Sequence, residues 1–248
     1  MTYEQRKIAY DKVSTPEELQ VFMDKYLKYG IYGTDNKVYK TWNIKTNSKF
    51  QEACQNKYSL CNVERFLKYR YGTCWDQVEL KRDWFTNHNY EFKTLFIWFL
   101  FEETNNYTTH AYLIYKSKEN NKYYYFEHSD FTNRGIYEFD TYESAIEYQK
   151  ELHIKNNKNS GNIINDSILS HLIIYEFSSP KYGCNMSEYL NNILESTIIY
   201  QNGKYISKQY QRSTYEKYKT MDQKQLATIN YLANFWKCSH ILNNIYKK

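Results

Sequence analysis

The segment YGTCWDQVELKRDWF, residues 71–85, decides how the rest of the chain is read. It sets a glycine, a threonine and a cysteine immediately before a run that reads as a helix. Thr73 followed three residues later by Asp76 is a capping pattern: the threonine oxygen accepts a bond from a first-turn amide, and an acid in that turn suits the helix dipole. Cys74 is then the first helical residue. There the unpaired N–H groups and the positive helix end favour a thiolate over a thiol. The same amides suit an oxyanion hole for a carbonyl attacked by that sulfur.

Acyl transfer also needs a base beside the thiol, and histidine fits because it titrates near neutrality. The chain has six histidines. His88 lies at the far end of the same helix, about 20 Å from Cys74 at ~1.5 Å per residue, and is out of reach. His153, His171 and His240 stand in contexts without a partner pattern. His110 and His128 bracket a hairpin, THAYLIY, then the polar KSKENNK, then YYYFEHS. A turn centred on Lys118 and Glu119 sets His110 opposite Glu127, with β-carbons about 5 Å apart. A register shifted by one residue instead puts His128 opposite His110 and turns Glu127 to the other face. Local sequence leaves both registers open.

Composition narrows the classes. At 248 residues the chain is long enough to bury a core without disulfides or metals, and 19% of it is aromatic, with 29 tyrosines. Five cysteines, Cys54, Cys61, Cys74, Cys184 and Cys238, are odd in number and form no C-x-x-C pair. That argues against a disulfide framework and a zinc knuckle. No apolar run approaches the roughly 20 residues of a membrane span. The N-terminal MTYEQRKIAYDK has no apolar segment with a cleavage site, so a cytoplasmic location is the default expectation. The net charge of +5, with lysines gathered over residues 203–219, reads as a solvated face rather than a nucleic-acid site.

Along the chain, Ser14, Thr15 and Pro16 open a helix to about Lys28, and short helices are predicted over residues 49–56 and 62–69. Residues 33–47 are turn-rich. Residues 90–102, 109–115, 122–127 and 172–177 read as strands. Residues 142–152 and 187–195 read as helices, with 155–165 as a polar loop. A long helix is predicted over 221–246, opened by Thr220 and Gln223. The expectation is one α+β domain with a core over about residues 48–180 and helical flanks over 1–47 and 181–248.

In chain order the candidate residues are a cysteine at a helix start, a histidine on one strand and an acid ending the next. GTCWDQ (72–77), THAY (109–112) and YYFE (124–127), with Arg134-Gly135 beyond, resemble the transglutaminase-like branch of the papain-like cysteine enzymes, in its small bacterial and phage forms. The resemblance covers about residues 69–147, and weakly 172–183. It implies a papain/transglutaminase-like core, with the nucleophile helix packed on an antiparallel sheet. It also implies a Cys74–His110–Glu127 triad without metal or cofactor. Glu127 stands where aspartate is usual, and the proline that often follows is missing, so Asp130 is the fallback third member. The resemblance favours the register that uses Glu127 over His128. Thr73 and Trp75 would border the acyl site.

The function expected is cysteine-dependent acyl transfer on protein or peptide amides through a thioester, as peptidase, amidase or deamidase, or as transamidase if an amine resolves it. The competing expectation is a protein-binding module that keeps the fold and has lost the chemistry. The remaining tryptophans and cysteines read as structural. Oligomeric state is left open.

Overall fold

The computed structural model describes residues 1–40, 44–101 and 106–206. The predicted helix over 221–246, with Cys238 and His240, and the lysines beyond residue 206 lie outside the described residues.

Side-chain caps start the helices. Thr2 and Gln5 form a capping box for α1 (Tyr3–Asp11), and Thr15 accepts from the Glu18 N–H at the start of α2 (Pro16–Tyr26). Short strands β1 (Lys28–Tyr29), β2 (Ile31–Tyr32) and β3 (Val38–Tyr39) follow, then α3 (Ile44–Asn56), α4 (Val63–Tyr69) and β4 (Tyr71–Gly72). Next come α5 (Cys74–Asn87), β5 (Phe92–Phe101), β6 (Asn106–Lys116), β7 (Tyr123–Glu127) and β8 (Gly135–Phe139). The described chain finishes with α6 (Tyr142–Asn159), α7 (Asp166–Leu169), β9 (Leu172–Glu176), α8 (Met186–Leu194), β10 (Thr197–Gln201) and β11 (Lys204–Tyr205).

The fold is α+β. Seven strands form one antiparallel sheet in the order β11-β10-β9-β5-β6-β7-β8. Its central strands are apolar on both sides. Leu95, Ile97, Phe99, Tyr112, Ile114 and Tyr125 face a core shared with Ala145 and Ile146 of α6. Phe96, Ala111, Leu113, Tyr115 and Phe126 face the opposite core, with Val78, Leu80, Trp84 and Phe85 of α5 and residues of α2 and α8. Burying each large apolar side chain is worth roughly 1.5–3 kcal/mol, so two such layers hold the sheet between helices.

Several sequence expectations are corrected. The polar stretch after residue 155 continues α6 to Asn159 rather than forming a loop, because His153 and Asn157 extend the buried stripe of Ala145, Ile146 and Gln149. Strand β8 and the C-terminal strands β10 and β11, which join the main sheet, were not expected; the flank after residue 181 is therefore not purely helical. The N-terminal flank also belongs to the body. Met1–Tyr205 forms one compact unit, and buried Arg6 of α1 donates from Nε to the Leu67 carbonyl at 2.8 Å and from Nη2 to that of Lys68 at 2.9 Å. Those bonds satisfy carbonyls left unpaired at the end of α4. Among the described residues no helix is long and apolar enough to cross a membrane.

Gly72 is needed for close approach. A Cβ there would lie 2.7 Å from Asp76 Cβ and 2.8 Å from Phe66 Cζ. Gly72→Ala should therefore destabilise the protein by about 1–3 kcal/mol through overpacking, measured as a lower urea midpoint at unchanged slope.

Candidate active site

The nucleophile end of the site is built from both neighbouring segments of chain. Thr73 caps α5: its Oγ1 accepts from the Trp75 N–H at 3.3 Å and donates to Asp76 Oδ2 at 3.0 Å, while its N–H donates to the same oxygen at 2.8 Å. Asp76 is buried and also accepts from the Cys61 N–H at 2.8 Å and the Tyr58 hydroxyl at 3.3 Å. Burial raises its pKa, and the bonds from Cys61 and Thr73 oppose that rise. Cys74, 7% exposed, is the first residue of α5, so its own N–H has no partner within the helix.

The loop that carries Cys74 is fastened by β1. That strand pairs in parallel with β4, Tyr29 against Gly72, and the Gly30 N–H donates to the Gly72 carbonyl at 3.2 Å. Tyr29 is thereby brought to the site. Its pKa is raised first by burial and then by the charges of Cys74, Cys54, Asp76 and Glu127. No local signal in the sequence identifies Tyr29, because a two-residue parallel pairing between partners 43 positions apart leaves no pattern.

The base and the acid stand on the hairpin, in a register that differs from the expected one. Leu113 pairs with Phe126 and Tyr115 with Tyr124, so the turn is centred one residue later, between Glu119 and Asn120. Asn121 at φ 59 and the Ser117 N–H bonded to the Lys122 carbonyl at 2.8 Å close it. Glu127 then falls beside Tyr112 rather than beside His110. The offset is two residues, an even number, so Glu127 stays on the face of His110 as its diagonal neighbour, at a separation of about 7–8 Å between α-carbons. Glutamate spans that gap where aspartate is one methylene shorter. The result is a contact of 2.6 Å between His110 Nε2 and Glu127 Oε2.

Glu127 is 1% exposed and fully engaged. Its Oε2 also accepts from the Tyr125 hydroxyl. Its Oε1 accepts from the Ser129 N–H at 2.6 Å, the Ser129 hydroxyl at 2.9 Å and the Asp130 N–H at 3.0 Å. Asp130, the fallback, is used elsewhere: it takes the Thr132 N–H and the amides of Asn133 and Asn156. Tyr125 and Ser129 went unread in the sequence, although Tyr125 lies two residues from Glu127 on the same strand face.

Alternation along β6 and β7 puts His110 and Glu127 on the α6 side of the sheet, while Cys74 belongs to the α5 side. The pairing of β7 with β6 runs only as far as Leu113, so His110 lies on β6 beyond that ladder. His110 contacts Glu127 at 2.6 Å, and the nearby Cys74 thiol acts on the same imidazole, favouring its charged form. With Nε2 held by the carboxylate, Nδ1 is the nitrogen left for the sulfur. Burial disfavours the charged imidazole, but the charge and bond of Glu127 and the effect of Cys74 outweigh it and raise the His110 pKa to about 10. In Glu127 burial is likewise outweighed, by the charge and bond of His110, by Lys81 and by Tyr125, so its carboxyl is held well below the ordinary range.

The other candidates separate from the site. His128 is buried, donates from Nδ1 to Gln77 Oε1 at 2.7 Å and has Nε2 3.3 Å from Asp24 Oδ1, so it joins α5 to α2 and does not pair with His110. Trp75 packs in the core beside Cys74: its indole stacks on Tyr189 at 4.3 Å and meets Tyr58 edge-on at 5.3 Å. His88 stacks on Trp84 at the far end of α5, and His153 Nε2 lies 3.0 Å from the Thr108 hydroxyl. Burial raises the thiols of Cys54, to about 12, of Cys184, to about 11, and of Cys61. Among the described residues no group of three or more His, Cys, Asp or Glu side chains could hold a metal ion. No protein-family model, curated protein or solved structure matches this chain.

The His110–Glu127 pair makes the pH response specific. A raised His110 stabilises the fold fully below its ordinary 6.5 and loses that contribution as pH rises towards about 10; a lowered Glu127 contributes above its ordinary 4.5 and loses it as pH falls. In Glu127→Gln the imidazole keeps its burial and loses its anion, so its titration by NMR should move down from that alkaline midpoint. An unchanged midpoint would show that the carboxylate does not govern the base.

Proposed function

We propose that the protein is a transglutaminase-like cysteine enzyme of papain-like architecture that transfers the acyl group of protein or peptide amides, hydrolysis being the first assignment. The observation that carries this is the 2.6 Å bond of His110 to Glu127, with the Cys74 thiol acting on the same imidazole from a capped helix start. The Cys74 thiolate attacks the amide carbonyl and the oxygen takes the negative charge, facing the unpaired Cys74 N–H. Protonated His110 gives its proton to the nitrogen as the C–N bond breaks, leaving a thioester and a free amine. His110, now neutral, takes a proton from water; the hydroxide displaces the sulfur, yielding a carboxylic acid and the restored thiolate. If an amine took the place of that water, the product would be a new amide.

Full engagement of Glu127 supports this reading over an inactive binding module, since the glutamate that departs from the usual aspartate fits the diagonal register. The raised pKa values of Cys54, Cys61 and Cys184 add a practical contrast. Iodoacetamide at pH 7 should label Cys74 about tenfold or more faster than Cys54, Cys61 or Cys184, and His110→Ala should abolish the preference. Labelling no faster than at those cysteines would leave the binding module ahead. With candidate substrates, intact mass should show one added mass unit for deamidation, fragments for proteolysis, or an amine adduct for transamidation. Each should vanish in Cys74→Ala, and turnover should fall by about 100- to 10,000-fold in His110→Ala.

A further inference from the structure

Lys81 takes no part in the reaction as drawn, yet it is 3% exposed in the core of the unit. It stands seven residues after Cys74 on α5, two helical turns along the same face. Lysine is almost never fully buried unless paired, and among the described residues no carboxylate forms an ion pair with it. Its Nζ instead donates to the Phe126 carbonyl at 2.9 Å and lies 5.1 Å from the centre of the Phe126 ring. Phe126 immediately precedes Glu127. Holding its carbonyl fixes the peptide plane from which the Glu127 side chain departs, at the point where β7 stops pairing with β6.

The charge has a second effect. Three groups face the ammonium electrostatically: Glu127 at the end of β7, Cys74 on α5, and His128 beyond β7. Glu127 and Cys74 are the two anions of the triad in its reactive form. A neutral apolar residue at position 81 would fill the same space without offsetting either.

We propose that Lys81 is a positioning residue of the triad: it ties the nucleophile helix to the peptide of the catalytic acid and balances the buried negative charge of Glu127 and Cys74. This rests on the acyl-transfer reading given above. The location of Lys81 leaves a signature independent of turnover. Burial lowers its pKa to about 8 and the two anions oppose that fall, so removing one should lower it further.

The test follows the Lys81 Nζ by pH-dependent NMR in the full chain, in wild type and in Glu127→Gln. A lower midpoint in the variant is expected, and an unchanged midpoint would overturn the charge pairing. In parallel, Lys81→Met and Lys81→Gln, which keep the side-chain bulk, should slow iodoacetamide labelling of Cys74 at pH 7 by about tenfold, with thermal unfolding showing that the fold persists. Labelling within twofold of wild type in a folded variant would overturn the proposal. If neither variant folds, the Lys81 midpoint in Glu127→Gln decides alone. Failure of the acyl-transfer reading is distinguishable: turnover would then be absent with every substrate, while the Lys81 midpoint would still respond to Glu127.

Discussion

The carboxylate of Glu127 is out of water at the end of β7, and a buried anion persists only where donors and cations surround it. Five donors do so: His110, the Tyr125 hydroxyl, both donors of Ser129 and the Asp130 N–H. The requirement reaches outward from there. It shapes the 128–130 turn, whose amides must point back at the acid, and it holds the imidazole of His110 between the carboxylate and the sulfur. It also gives a reason for a lysine in the core on the far side of the same peptide.

The nucleophile is held by a different kind of constraint. Cys74 is positioned by backbone, through the cap of α5, the close packing of Gly72 and the short parallel ladder that joins β4 to β1. An apolar sheet alone would leave the loop before α5 free to shift. The pairing with β1 brings Tyr29 with it, so a part of the chain expected to be a flank supplies a wall of the candidate site. Alternation along the strands sets acid and base on one side of the sheet, while the thiol belongs to the other.

Several features were legible in residue pattern because their causes are local. The Thr73–Asp76 cap and the strand composition of β5, β6 and β7 depend on neighbours within a few positions. The extension of α6 was not legible, since KNNKN carries no apolar stripe and is helical because His153 and Asn157 are buried against the sheet. Nor were β8, β10 and β11, short strands whose existence depends on a partner already in place. The hairpin is the instructive case. Its existence was readable, but local sequence left two registers of opposite parity open, and the observed pairing lies two positions from the one that set His110 opposite Glu127.

By itself the sequence determined which residues had the chemistry for the candidate site: a thiol at a helix start, an imidazole on one strand and a carboxylate on the next. Those assignments follow from side-chain type and from capping, which are properties of short segments. Tertiary structure decided which of them touch. The choice of Glu127 over Asp130 and His128, the diagonal contact that suits glutamate, the packing of Trp75 in the core and the arrival of Tyr29 and Lys81 all depend on packing between distant segments. Burial energy is collected over the whole body and no local window contains it.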